Sequence, residues 1–134
     1  MNNNKPEVLI AIDFDGTICE VSYPKVGKER KGAKKYINKL YKEGYGIVIN
    51  TCRTDHPACS AIDFLNKRGI KFHYFNTNFP HLIEKYGNDC RKISADVYID
   101  DKCLFEIPTW KEKYKIIKIK FPTAERGHLT EIHK

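Results

Sequence analysis

Val8-Leu9-Ile10-Ala11-Ile12-Asp13-Phe14-Asp15-Gly16-Thr17 runs five apolar residues without a break into two acids, a glycine and a threonine. An apolar run this short with no alternation is expected of a strand buried on both faces of a parallel sheet. The acids stand where that strand stops. Open parallel sheets bind ligands beyond the carboxyl ends of their strands, where the strand order reverses. The same ten residues therefore predict both a fold class and the place to look for a site.

Further along, strand and helix patterns alternate. Residues 32–43 carry an apolar stripe, Ala33, Tyr36, Ile37, Leu40 and Tyr41, with Gly44 as a stop. Gly46–Ile49 is a second buried strand. Asp55 can cap a helix that holds Ala61, Ile62 and Leu65 and ends at Gly69. Ile70–Phe75 is predicted as a third strand, Pro80–Tyr86 as a short helix and Val97–Ile99 as a fourth strand. Residues 104–113 are predicted as a short helix, and Tyr114–Phe121 as a last edge strand guarded by Lys115, Lys118 and Lys120. Strands alternating with helices imply parallel crossovers, hence an α/β layered sheet.

The 134 residues, with no internal repeat and no break in composition, fit a single domain over 1–134. Apolar residues at 41% and charged residues at 31% exclude a mainly disordered chain. No apolar run approaches the ~20 residues of a membrane span. The start of the chain, with Lys5 followed by Pro6, lacks the apolar core of a signal peptide. The five cysteines, Cys19, Cys52, Cys59, Cys90 and Cys103, are odd in number and contain no Cys-x-x-Cys, so reduced thiols and a cytoplasmic location are expected. The net charge of +7 favours anionic partners.

Three strands are predicted to end in polar groups at one sheet edge. The first ends in Asp13 and Asp15, the second in Thr51, and the fourth in Asp100 and Asp101, with Lys92 shortly before it. Four carboxylates in one small volume repel and raise each other's pKa. A hard divalent cation removes that conflict, and all-oxygen ligation suits Mg²⁺. Asp13 and Asp15, two residues apart in extended chain, point to one side. One can attack while the other moves protons. The Thr51 hydroxyl and the Lys92 ammonium suit phosphoryl oxygens. Such parts make up an aspartyl-phosphate mechanism.

With these residues in place, the chain resembles the haloacid dehalogenase (HAD) superfamily of phosphohydrolases. Asp13-Phe14-Asp15-Gly16-Thr17 matches its DxDGT motif. Thr51 matches its second motif, Lys92 its third, and Asp100-Asp101 its acidic fourth, in the family's order. The resemblance implies a Rossmann-like three-layer αβα sandwich with a mostly parallel central sheet. It implies Asp13 as nucleophile, Asp15 as general acid/base, and Thr51 and Lys92 as phosphate-binding groups. It also implies Mg²⁺ held by Asp13, the Asp15 carbonyl and the Asp100/Asp101 pair, with Asp101 as the direct ligand and Asp100 bridged by water. The segments Ile18–Lys31 and Asn76–Arg91 are too short for the family's inserted cap, so a capless member is expected.

The resulting expectation is a magnesium-dependent phosphatase. Its substrate could be a small phosphometabolite, a nucleotide or an exposed phosphate on a macromolecule. A phosphotransferase would use the same chemistry. The alternative is a nucleic-acid-binding or phospho-receiver-type module without turnover. A receiver, however, carries its acidic pair after the first strand, and here the third strand ends in Asn76. Arg53 is readable as a substrate contact or as a surface ion pair, and His56 as a substrate contact or as an exposed residue. Cys52 is readable as an amide donor to phosphate with a packed thiol. The basic residues between Lys25 and Lys35 are readable as a solvated face or as recognition of a polyanion. Membrane association is not expected, and a homo-oligomer is compatible with the sequence.

Overall fold

The computed structural model describes residues 5–123. Strands β1 (Leu9–Ile12), β2 (Gly46–Ile49), β3 (Tyr74–Phe75) and β4 (Val97–Ile99) form one parallel sheet in the order β3-β2-β1-β4. All eight residues of β1 and β2 are buried, because helices or loops cover both faces. The helices are α1 (Ala33–Lys42), α2 (Asp55–Arg68), α3 (Pro80–Tyr86) and α4 (Trp110–Lys120).

The pleat divides the strands between two cores. Ile10, Ile12, Ile47 and Ile49 pack with Ile37 and Leu40 of α1, Ala61 and Leu65 of α2, and Trp110 and Ile117 of α4. Leu9, Ala11 and Val48 pack on the other face with Phe79, Ile93 and Leu82 of α3. The result is a Rossmann-like α/β sandwich of three layers, heavily covered on one face and lightly on the other. Each such apolar side chain, fully buried, contributes about 1.5–3 kcal/mol relative to exposure.

The chain steps outward from β1 to β2 to β3, then returns to place β4 on the other side of β1. The order therefore reverses between β1 and β4, and the carboxyl ends of two such strands are where open parallel sheets place their ligand crevice. The segment 18–31 folds back on itself as a loop, with Glu20 N–H donating to the Lys28 carbonyl (2.9 Å) and Arg30 N–H to that of Ile18 (2.8 Å). The segment 76–91 contains α3 alone among regular elements. Neither forms a cap domain. No described helix is long and apolar enough to cross a membrane.

Three expectations fail. In place of a helix over 104–113 and an edge strand over Tyr114–Phe121, the chain forms α4. A capping box starts it: the Thr109 hydroxyl accepts from Glu112 N–H (3.2 Å), and the Glu112 carboxylate accepts from Thr109 N–H (2.9 Å). Its buried residues, Trp110, Lys113, Ile117 and Lys118, follow helical spacing, whereas Ile119 is 80% exposed. Lys118 guards no edge. It is buried and paired with Glu43 and the Tyr114 hydroxyl, each at 2.6 Å. The third strand is also shorter than expected. The Asn38 amide brackets the Gly69 carbonyl and Lys71 N–H, which ties residues 69–71 to α1 and leaves Tyr74 and Phe75 to pair with β2.

Candidate functional site

β1 and β4 deliver their acids to the crevice. Asp13 follows β1, and its N–H donates to the Ile99 carbonyl (2.8 Å) as the last rung between the two strands. Asp100 and Asp101 follow β4. Carboxylate oxygens of Asp13, Asp100 and Asp101 lie within 4.8 Å of one another. Asp13 and Asp101 are half-buried, and Asp100 is exposed.

This crowding has an electrostatic cost. Burial, a hydrogen bond that the protonated Asp13 carboxyl donates to Asp101, and the nearby Asp100 charge push Asp13 up to about 7, while the Thr17 hydroxyl, donating to Asp13 Oδ2 at 3.1 Å, opposes them. Gly16 makes the approach possible. It has φ +83°, and a Cβ there would collide with the Asp101 carboxylate.

Asp15 stands apart from the other three acids. Both its oxygens accept from Arg53, Oδ2 from Nε and Oδ1 from Nη2, each at 2.8 Å. Arg53 is 1% exposed. Its remaining N–H groups reach the carbonyls of Pro24 (2.9 Å), Pro57 (3.0 Å) and Lys25 (2.6 Å). All five donors are thereby used. The guanidinium carbon also lies 5.2 Å from the ring centroids of both Phe14 and Tyr23. Arg53 is thus neither a surface ion pair nor open to a substrate. It ties Asp15 to the loop after β1 and to the start of α2.

Thr51 closes the β2 end. Its N–H donates to Asn76 Oδ1 (2.8 Å), and its hydroxyl oxygen accepts from Arg53 N–H (3.3 Å), which leaves the hydroxyl hydrogen for a ligand. Asn76, unremarkable in the sequence, sits at φ +56° and also donates to the Arg53 carbonyl (3.3 Å). Lys92 is exposed, with its ammonium 5.3 Å from the Tyr98 ring centroid. No ion pair among the described residues joins it to Asp13. His56 and Cys52 are exposed, so the Cys52 thiol is not a packing group.

Sequence reasoning thus placed Asp13, Asp100 and Asp101 where the fold brings them together, and it missed the work of Arg53, Asn76 and Thr17. The pattern Thr51-x-Arg53 was a signal for the first. Thr17 lay in plain view inside the Asp-Gly-Thr turn.

No protein-family model matches the chain, and no curated protein does. A solved structure of a conserved protein from Bacteroides thetaiotaomicron is 34% identical, over 84% of this chain and 91% of that one, with a TM-score of 0.76. At that identity and coverage, the chain belongs to the same family as the conserved Bacteroides thetaiotaomicron protein.

Proposed function

We propose that the protein is a magnesium-dependent phosphatase of the haloacid dehalogenase type, which hydrolyses a phosphomonoester through a phosphoryl group carried on Asp13. The observation that supports this reading is the convergence of Asp13, Asp100 and Asp101 where the strand order reverses. The donor set fits Mg²⁺: three hard oxygen ligands, close together, in a place where burial and the neighbouring acids push Asp13 up. Asp13, Asp100 and Asp101 would hold the cation. When bound, it supplies charge neutralisation for the carboxylates and for the phosphoryl oxygens.

The chain's own groups would then act in order. An oxygen of Asp13 attacks phosphorus. The ester P–O bond breaks, and the leaving alcohol takes a proton. Water then attacks the Asp13 phosphoryl group, loses a proton to a base and releases phosphate. Thr51 donates its hydroxyl hydrogen to a phosphoryl oxygen. Lys92 would serve the same oxygens by leaving the Tyr98 ring.

Asp15 is the base for the water and the acid for the leaving group. Both of its oxygens are held by Arg53, in an ion pair at 2.8 Å. The same ion pair favours a second reading, a binding module without turnover.

Phosphate release from an aryl phosphate, with Mg²⁺ or with EDTA, separates the two. Turnover that requires Mg²⁺ and is lost in Asp13→Asn is expected. A folded protein that binds Mg²⁺ and releases phosphate from no ester would leave the binding module.

A further inference from the structure

A groove of about 1,290 Å³ runs between the first turns of α1 and α4. It shares a wall with the carboxylate site, since Trp110 lines it and donates from its indole N–H to the Thr17 carbonyl (2.9 Å), and Thr17 in turn holds Asp13. Lys28, Arg30, Lys31 and Lys35 line one side, and Lys111 and Lys113 line the other. Of the two acids present, Glu29 is already taken by Arg68 (2.8 Å) and by Lys34 N–H (2.9 Å).

Lys113 is 8% exposed, and among the described residues its ammonium makes no hydrogen bond or ion pair and lies 4.5 Å from the Trp110 ring centroid. Burial and the neighbouring Arg30 push it down to about 8, against a weaker opposing pull from Cys103 and Asp101. A buried ammonium with no ion-pair partner is costly, and an anion in the groove relieves it.

The shape selects the ligand. Small-molecule sites run to roughly 300–1,000 Å³, and here the cations line two walls instead of converging on one point. In the chain between Asp101 and the groove residue Pro108, the loop before α4 exposes Leu104 (89%) and Phe105 (79%). A cationic channel together with an exposed aromatic ring is the pattern of single-strand binding, with phosphates in the channel and a base stacked on the ring.

We propose that this groove binds the phosphodiester backbone of a single-stranded nucleic acid, whose terminal phosphate is the monoester presented to Asp13. The second half of that statement rests on the phosphatase reading, and the first does not.

The test is fluorescence anisotropy of a labelled, end-phosphorylated strand of about 12 nucleotides, bound to the full chain carrying Asp13→Asn. Affinity should fall with salt, with a log–log slope of about −0.7 per phosphate contact. Arg30→Gln with Lys111→Gln, both at exposed positions, should weaken binding about tenfold at about 50 mM salt and flatten the slope by about 1.4. Phe105→Ala should weaken binding and leave the slope unchanged. Absence of binding, equal binding by the double variant, or displacement by a small bisphosphate as readily as by unlabelled strand would each overturn the proposal. Aryl phosphate turnover by a wild type that binds no strand would remove the groove and keep the phosphatase. Strand binding without turnover of any ester would do the reverse.

Discussion

The carboxylate of Asp101 occupies the space that a side chain on Gly16 would fill. β1 and β4 thus meet beyond their last hydrogen bond, and the acid is set by the absence of a methyl group. Gly16→Ala should displace Asp101 and also strain a φ of +83°, at a cost of about 1–2 kcal/mol. Mg²⁺ affinity, measured by calorimetry, should fall at least tenfold, as in Asp101→Asn. Unchanged affinity would show that Asp101 is not a ligand.

Arg53 joins Asp15 to three backbone carbonyls from two other segments. Arg53→Met should cost about 3–5 kcal/mol in urea unfolding, since a part-buried carboxylate and several carbonyls lose their partner. Arg53→Lys should recover little, because an ammonium cannot reproduce a planar five-donor fork. A lysine variant as stable as the wild type would contradict this account.

Asp13 binds its proton more tightly folded than unfolded, with a pKa of about 7 against 3.8. Without metal, stability should therefore fall as pH rises from 3.8 through about 7. A bound cation selects the ionised form, so the gain in melting temperature on adding Mg²⁺ should grow across that window. Asp13→Asn should flatten both trends. An Mg²⁺ gain independent of pH in the wild type would remove Asp13 from the ligand set.

Lys118 and Glu43 form a largely buried pair, with side chains 7% and 24% exposed and the Tyr114 hydroxyl bridging them. Glu43→Ala leaves the ammonium buried without its anion and should cost about 3–5 kcal/mol. Lys118→Met keeps the volume and removes the charge, so it should cost less. Thermal unfolding of the two variants gives the comparison, and equal losses would count against it.

The legible part of the fold was the part governed by burial on both sides. Val8–Ile12 and Gly46–Ile49 could hardly be anything but inner strands, and from them the polar strand ends followed. α4 was hidden because Lys113 and Lys118 occupy inward positions, which broke its 3.6-residue stripe and left Ile116, Ile117 and Ile119 looking like a strand. Arg53 was half-legible. Its proximity to Thr51 was plain, but its burial depends on carbonyls of Pro24, Lys25 and Pro57, which only the folded loop brings together. Lys92 shows the opposite limit: order along the chain locates its backbone and says nothing of where a long side chain settles, here against Tyr98.

β4 has three residues and, among the described residues, one neighbouring strand. Two of the three acids at the crevice hang from it, and the third follows β1, an inner strand buried at every residue. Fraying of that short outer ladder would pull the acids apart while the two cores stay closed. Amide exchange at Val97–Ile99 should then outpace exchange in β1, and a ligand that bridges Asp13 to Asp101 should slow it selectively. Assembly of the site would be a local equilibrium in its own right, adjustable without moving the melting point of the domain.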